Sequence, residues 1–106
     1  MANAETNLQA TIMMALSEAG HTPFRNNTGG FKDKNGRWVR YGVGGRGGSD
    51  LWVICKDGIV GAIEVKTATG RVSQDQQRFI DMVRSKGGRA GVARSVEDAL
   101  RIANGG

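Results

Sequence analysis

Apolar residues recur with a helical period near the start of the chain. Leu8, Ile12, Leu16 and Ala19, with Ala15 beside them, form one stripe. Asn3 is a suitable N-cap, and Glu5 falls in the first turn, where a negative charge suits the helix dipole. Gly20 ends this helix. Residues 22–26 read as a short strand, and Pro23 confines it to a sheet edge. The pattern then breaks: residues 28–48 hold eight of the 17 glycines and no apolar period. Phe31 and Trp38-Val39-Arg40-Tyr41 flank the turn signal Asn35-Gly36, which predicts a hairpin or flap.

Regular patterning resumes with two apolar runs, residues 51–55 and 59–66, joined by Lys56-Asp57-Gly58. They predict a hairpin of buried strands, broken off by Ala68-Thr69-Gly70. Ser73 opens a capping box with Gln76, and the helix continues through Phe79, Ile80 and Val83 to Gly87-Gly88. Residues 89–93 form a short strand, and Ser95 caps a last helix through Ala99, Leu100 and Ala103. The order helix, strand, flap, hairpin, helix, strand, helix predicts an α/β domain with a mixed β-sheet flanked by helices.

A length of 106 residues predicts one domain, spanning 1–106. Hydrophobic residues make up 39% of the chain, enough for a core and too many for a disordered tail. No run approaches the roughly 20 apolar residues of a membrane helix. The first residues carry no basic segment followed by an apolar stretch, so no secretory signal is expected. The lone Cys55 excludes an internal disulfide framework and a cysteine-based zinc cluster, and it fits a reducing, cytoplasmic setting. Cys55 is expected to pack in its strand. The lone His21 makes a Ser-His-Asp triad or a two-histidine metal site hard to build from one chain; following a helix-ending glycine, it is expected at the surface.

Charge is unevenly placed. Residues 22–48 carry Arg25, Lys32, Lys34, Arg37, Arg40 and Arg46 against Asp33 alone, which accounts for the entire formal excess of +5. A basic, glycine-rich segment with interleaved aromatics on an otherwise neutral domain points to a polyanion partner, although a solvated loop has the same composition. Trp38, Tyr41 and Phe31 are candidates for stacking on bases, against the commoner fate of packing in the core.

The hairpin places three ionisable residues where register decides their meaning. A two-residue Asp57-Gly58 turn would set Asp50 opposite Val65, facing away from Glu64. A three-residue Lys56-Asp57-Gly58 turn, with Gly58 left-handed, sets Asp50 opposite Glu64 and puts Lys66 on the same face. The longer turn is expected, because only it gathers all three charges. Facing carboxylates repel unless a cation separates them, and a hard divalent ion with oxygen ligands is the natural solution. A lysine beside such an ion completes the parts for metal-assisted phosphodiester hydrolysis. Glu-x-Lys alone is a weak motif that also ends ordinary solvent-facing hairpins.

Gln76 has two readings: it satisfies the Ser73 backbone as part of the capping box, or it reaches the nucleophile water or a phosphate. Glu5 is either a surface acid complementing the helix dipole or a further carboxylate turned toward the metal. Gly42-Val43-Gly44-Gly45-Arg46-Gly47 matches G-x-G-x-x-G, but it leads into a strand rather than opening a helix, so a dinucleotide site is not expected. A flexible loop delivering Arg46 to a phosphate fits better.

Taken in order, Gly47-Gly48-Ser49-Asp50-Leu51, Glu64-Val65-Lys66, Ser73-x-x-Gln76-x-x-Phe79 and Gly87-Gly88 resemble the VRR-NUC family of the PD-(D/E)XK nuclease superfamily. Glu5-x-x-Leu8-Gln9 and Arg25-Asn26-Asn27-Thr28-Gly29 resemble it too, so nearly the whole chain is covered, in the manner of the short stand-alone members found in bacteriophages. The superfamily Pro-Asp is Ser49-Asp50 here. The resemblance implies a restriction-endonuclease-like core and Mg²⁺ or Mn²⁺ held by Asp50, Glu64 and the Val65 carbonyl. It implies Lys66 as the residue that positions or activates the attacking water, and it adds Gln76 and Glu5 to the catalytic set. It further implies a homodimer acting on branched DNA such as four-way junctions. The function expected is a metal-dependent DNA endonuclease. The alternatives are a nuclease for flap or single-stranded DNA, a non-catalytic nucleic-acid-binding module, or a small interaction subunit.

Overall fold

A computed structural model describes residues 3–45 and 47–106. Arg46, one of the cations expected to contact nucleic acid, lies outside the described residues. Helix α1 spans Ala4–Glu18 and strand β1 Thr22–Arg25. A ribbon of β2 (Gly29–Lys32) and β3 (Trp38–Tyr41) follows, then the hairpin of β4 (Leu51–Ile54) and β5 (Val60–Val65). Helix α2 (Gln74–Ser85), strand β6 (Arg89–Ala93) and helix α3 (Val96–Ala103) complete the chain. The element order is the one the hydrophobic pattern predicts.

One four-stranded sheet runs β1-β4-β5-β6, and β2-β3 forms a separate two-stranded sheet. β5 pairs with β6 in parallel, while β1–β4 and β4–β5 are antiparallel, so the main sheet is mixed. Helices cover both faces. On one side Ile12 and Leu16 of α1 and Ala99, Ile102 and Ala103 of α3 pack on Leu51, Val53, Ile63 and Val65. On the other, Phe79, Ile80 and Val83 of α2 pack on Ala62 and Ala90, with Trp52 set edge-on to Phe79 at 6.0 Å between ring centres. This explains why β5 reads as an uninterrupted apolar run: from Gly61 to Val65 it is buried on both faces. No helix among the described residues is long and apolar enough to cross a membrane.

The turn between β4 and β5 is the three-residue form. Cys55 N donates to Ile59 O at 2.8 Å, Gly58 N donates to Cys55 O at 2.7 Å, and Gly58 sits at φ +87°. That left-handed residue is the glycine bulge that adds one residue to the loop and so sets the register of everything beyond it.

His21 departs from expectation. It is buried: its Nδ1 accepts from Lys56 N at 3.1 Å, and its Nε2 lies 3.0 Å from Asn104 Oδ1. A neutral ring donating through Nε2 satisfies both contacts. It ties the end of α1 to the hairpin turn and the C-terminal helix, which is why a polar side chain is tolerated there. Cys55 is buried with the core, as expected of a strand residue.

Candidate active site

β4 and β5 pair Leu51 with Ile63 and Trp52 with Ala62, so one step further along the ladder Asp50 faces Glu64. Both carboxylates leave on the α2 side of the sheet, at its open end. Asp50 Oδ2 accepts from Val65 N at 2.8 Å, which fixes the aspartate against the end of β5.

Glu64 is only 2% exposed. Its Oε1 accepts from Gln76 Nε2 at 2.9 Å and lies 3.6 Å from Lys66 Nζ. Its Oε2 is buried and has no hydrogen-bond partner among the described residues. Burial, then the charge of Asp50, push the Glu64 carboxyl from 4.5 up to about 8; Lys66 opposes the rise and the charge of Glu5 adds to it. An acid so displaced, at the end of a strand and facing a second acid, is a candidate functional group.

Gln76 meets its first sequence reading, the capping box, while its other end meets a carboxylate. Its Oε1 accepts from Ser73 N at 2.9 Å, completing the capping box, and its Nε2 holds Glu64. The box fixes the amide so that its donor end points at the carboxylate. Glu5 stands in the first turn of α1, half-buried and near enough for its charge to act on Glu64.

Among the described residues no three histidine, cysteine, aspartate or glutamate side chains gather into a metal-binding group. A site here would rest on two carboxylates and the Val65 carbonyl. That all-oxygen, anionic donor set suits a hard ion that keeps part of its water, and the buried, partnerless Glu64 Oε2 supplies the acceptor such an ion would occupy.

The basic segment falls into separate places. Arg25 ends β1, beside Asp50. Lys32 pairs with Trp38 and Gly30 with Arg40 across the ribbon, so Lys32, Trp38 and Arg40 share one face. Phe31, Val39 and Tyr41 share the other. Lys34 and Arg37 lie in the exposed loop at its tip. None of these five cations forms a salt bridge with a described residue. Phe31, Trp38 and Tyr41 are each more than half exposed, so none of them follows the commoner route into the core.

One residue that the pattern marks only as the end of the first strand organises this region. Asn26 N donates to Asp50 O at 2.8 Å. Its Nδ2 donates to Val43 O at 2.7 Å and Ser49 O at 2.9 Å, and its Oδ1 accepts from Val43 N at 3.0 Å. The amide thus ties the return of the glycine-rich segment to the backbone around Asp50. Asn26→Ala is expected to cost about 2–4 kcal/mol, measured by chemical denaturation, because three side-chain bonds are lost and their backbone partners are left behind. The only sequence signal for it is an amide at the end of a strand, facing a glycine-rich return.

A family model described as "VRR-NUC domain" matches residues 4–97. A solved structure described as "VRR_NUC domain" superposes with a TM-score of 0.67 over 98% of this chain and 98% of that one, at 20% identity. That likeness speaks for the fold. No curated protein matches the chain.

Proposed function

Because this chain belongs to the VRR-NUC domain family, a nuclease-type family, we propose that it is a divalent-metal-dependent DNA endonuclease acting on branched DNA as a homodimer. The observation that carries the reading is the facing pair Asp50 and Glu64, with Gln76 and Lys66 converging on one oxygen of Glu64 and the other left without a partner. Asp50, Glu64 and the Val65 carbonyl would hold Mg²⁺ or Mn²⁺. When bound, the ion neutralises the two acids and draws charge from the scissile phosphoryl group.

The remaining roles belong to the chain itself. Gln76 keeps Glu64 Oε1 occupied, so that Oε2 would be the oxygen left to hold the ion. Lys66, mostly buried beside Glu64, orients the attacking water or holds the phosphate with its ammonium. Glu5 adds negative charge at the edge of the site. Arg25, Lys32, Lys34, Arg37 and Arg40 neutralise backbone phosphates, and Trp38 between Lys32 and Arg40 gives the ribbon a face on which a base can stack.

Cutting two strands symmetrically requires two such centres about a two-fold axis. The part of the sheet not covered by α2 carries Phe24, Ile54 and Val60 on one face, all substantially exposed, and this is the surface we assign to the dimer. Sedimentation is expected to give twice the 11.3 kDa of one chain. A monomer at working concentration would remove the symmetric double cut.

A cleavage panel tests the function: four-way junction, flap, single strand and plain duplex, each with Mg²⁺, Mn²⁺ or EDTA. Products with either metal and none in EDTA are expected, with branched substrates cut fastest. Salt-sensitive binding without any product would leave a non-catalytic binding module.

A further inference from the structure

An open cleft of about 620 Å³ adjoins the carboxylate pair, with Asp50 in its wall. The rest of the wall comes from Gln9 of α1, from Arg25, Asn27 and Thr28 at and beyond the end of β1, and from Tyr41 at the end of β3. Its size falls within the roughly 300–1,000 Å³ typical of pockets that enclose small ligands.

The wall has a particular chemistry. Asn26, which also lines the cleft, spends its side-chain amide on Val43 and Ser49. Gln9, Arg25, Asn27 and Thr28, by contrast, make no side-chain hydrogen bond or salt bridge to any described residue, so their polar atoms are free to meet a ligand. Two neutral amides and a hydroxyl offer paired donors and acceptors, the chemistry that reads the edge of a base. Arg25 adds one cation, suited to one phosphate.

Tyr41 supplies an aromatic surface, and its place is built in. The ring rests against bare backbone at Gly29: a Cβ there would stand 2.5 Å from the tyrosine Oη and 2.7 Å from Cζ. The neighbouring glycine does the same on the opposite face of the ribbon, where a Cβ on Gly30 would stand 2.5 Å from Trp38 Cζ2. Two consecutive glycines therefore seat two exposed rings, and the one at Gly29 is the one turned to the cleft.

Resting on the nuclease reading above, we propose that this cleft receives a single unpaired nucleotide next to the scissile phosphate. Its base stacks on Tyr41, its edge meets the Gln9 and Asn27 amides and the Thr28 hydroxyl, and Arg25 takes the adjoining phosphate. A base inside a continuous duplex cannot enter such a cleft without leaving its stack, whereas one at a branch point, bulge or strand end enters at little cost. The substrate selected is thus DNA with an unpaired base beside the cut.

The test is fluorescence-anisotropy binding in EDTA to three labelled duplexes of one sequence: fully paired, with a one-nucleotide bulge, and with an abasic residue at the bulge. The protein is expected to bind the bulged duplex about tenfold or more tightly than either of the others. Tyr41→Ala and Gly29→Ala should bring that ratio near one, and Tyr41→Phe should keep it. Equal binding to the base-bearing and abasic bulges, or a ratio that survives Tyr41→Ala, overturns the proposal. The same duplexes incubated with Mn²⁺ judge the nuclease reading separately: no product on any of them refutes that reading, while the metal-free ratio still decides the cleft.

Discussion

Glu64→Ala and Asp50→Asn are each expected to lower cleavage about a thousandfold or more while DNA binding in EDTA stays within a few-fold of the parent. The two acids are brought together by strand pairing, and each supplies part of the all-oxygen donor set at this end of the sheet. Removing one leaves an ion without half of its anionic ligands, and interactions aimed at developing charge in a water-poor site are worth several kcal/mol each. The cations we assign to DNA binding lie on β1 and the ribbon, which is why binding should persist. Lys66→Ala separates positioning from ion binding: it should lose about a hundredfold or more in rate without changing the apparent affinity for Mn²⁺. Cleavage by Glu64→Ala at the parent's rate would remove the mechanism.

The second large effect is on stability. The Glu64 carboxyl is lifted from 4.5 to about 8, chiefly by burial and by Asp50. Between those values the folded chain holds a proton that the unfolded chain has released. Stability of the metal-free protein should therefore fall as pH rises from about 5 to 8, by on the order of a few kcal/mol, and then level off. Thermal unfolding in EDTA at the two pH values measures this. Glu64→Gln isolates the effect: it keeps every other titrating group, should lose most of the slope, and should be more stable than the parent at pH 8. Asp57, held low by Arg89, and Asp98, held low by the Arg94 backbone, act in the opposite sense and only below this window. Mn²⁺ added at pH 8 should raise the parent's melting temperature and leave that of Glu64→Gln nearly unchanged, since binding to the folded state alone stabilises it. A parent that is equally stable at both pH values in EDTA would show that Glu64 is not held neutral.

Several features of the site were legible because their causes are local. The turn Lys56-Asp57-Gly58 announces a left-handed glycine, and that residue sets the register that makes Asp50 face Glu64. Ser73-x-x-Gln76 announces a capping box, and the box is present. What Gln76 does with its other end was not legible, because the bond to Glu64 depends on how α2 lies across β5. His21 was misplaced for a similar reason. Its partners are Lys56 and Asn104, distant in sequence, and a buried histidine is recognisable only once both are in reach. Asn26 and the glycine seats at positions 29 and 30 share that character: each acts through residues that approach only after folding.

By itself, then, the chain's order of residues determined its elements, their sequence along the chain, the phase of the central hairpin and the segment that carries its surplus positive charge. These depend on periodicity, capping and turn chemistry, which act over a few residues. Tertiary structure alone decided that Glu64 is stripped of water, that one of its oxygens is left over, and that Tyr41, Arg25 and Gln9 of α1 line a cleft beside Asp50. Desolvation and enclosure belong to surfaces meeting in space, and no local pattern records which surfaces will meet.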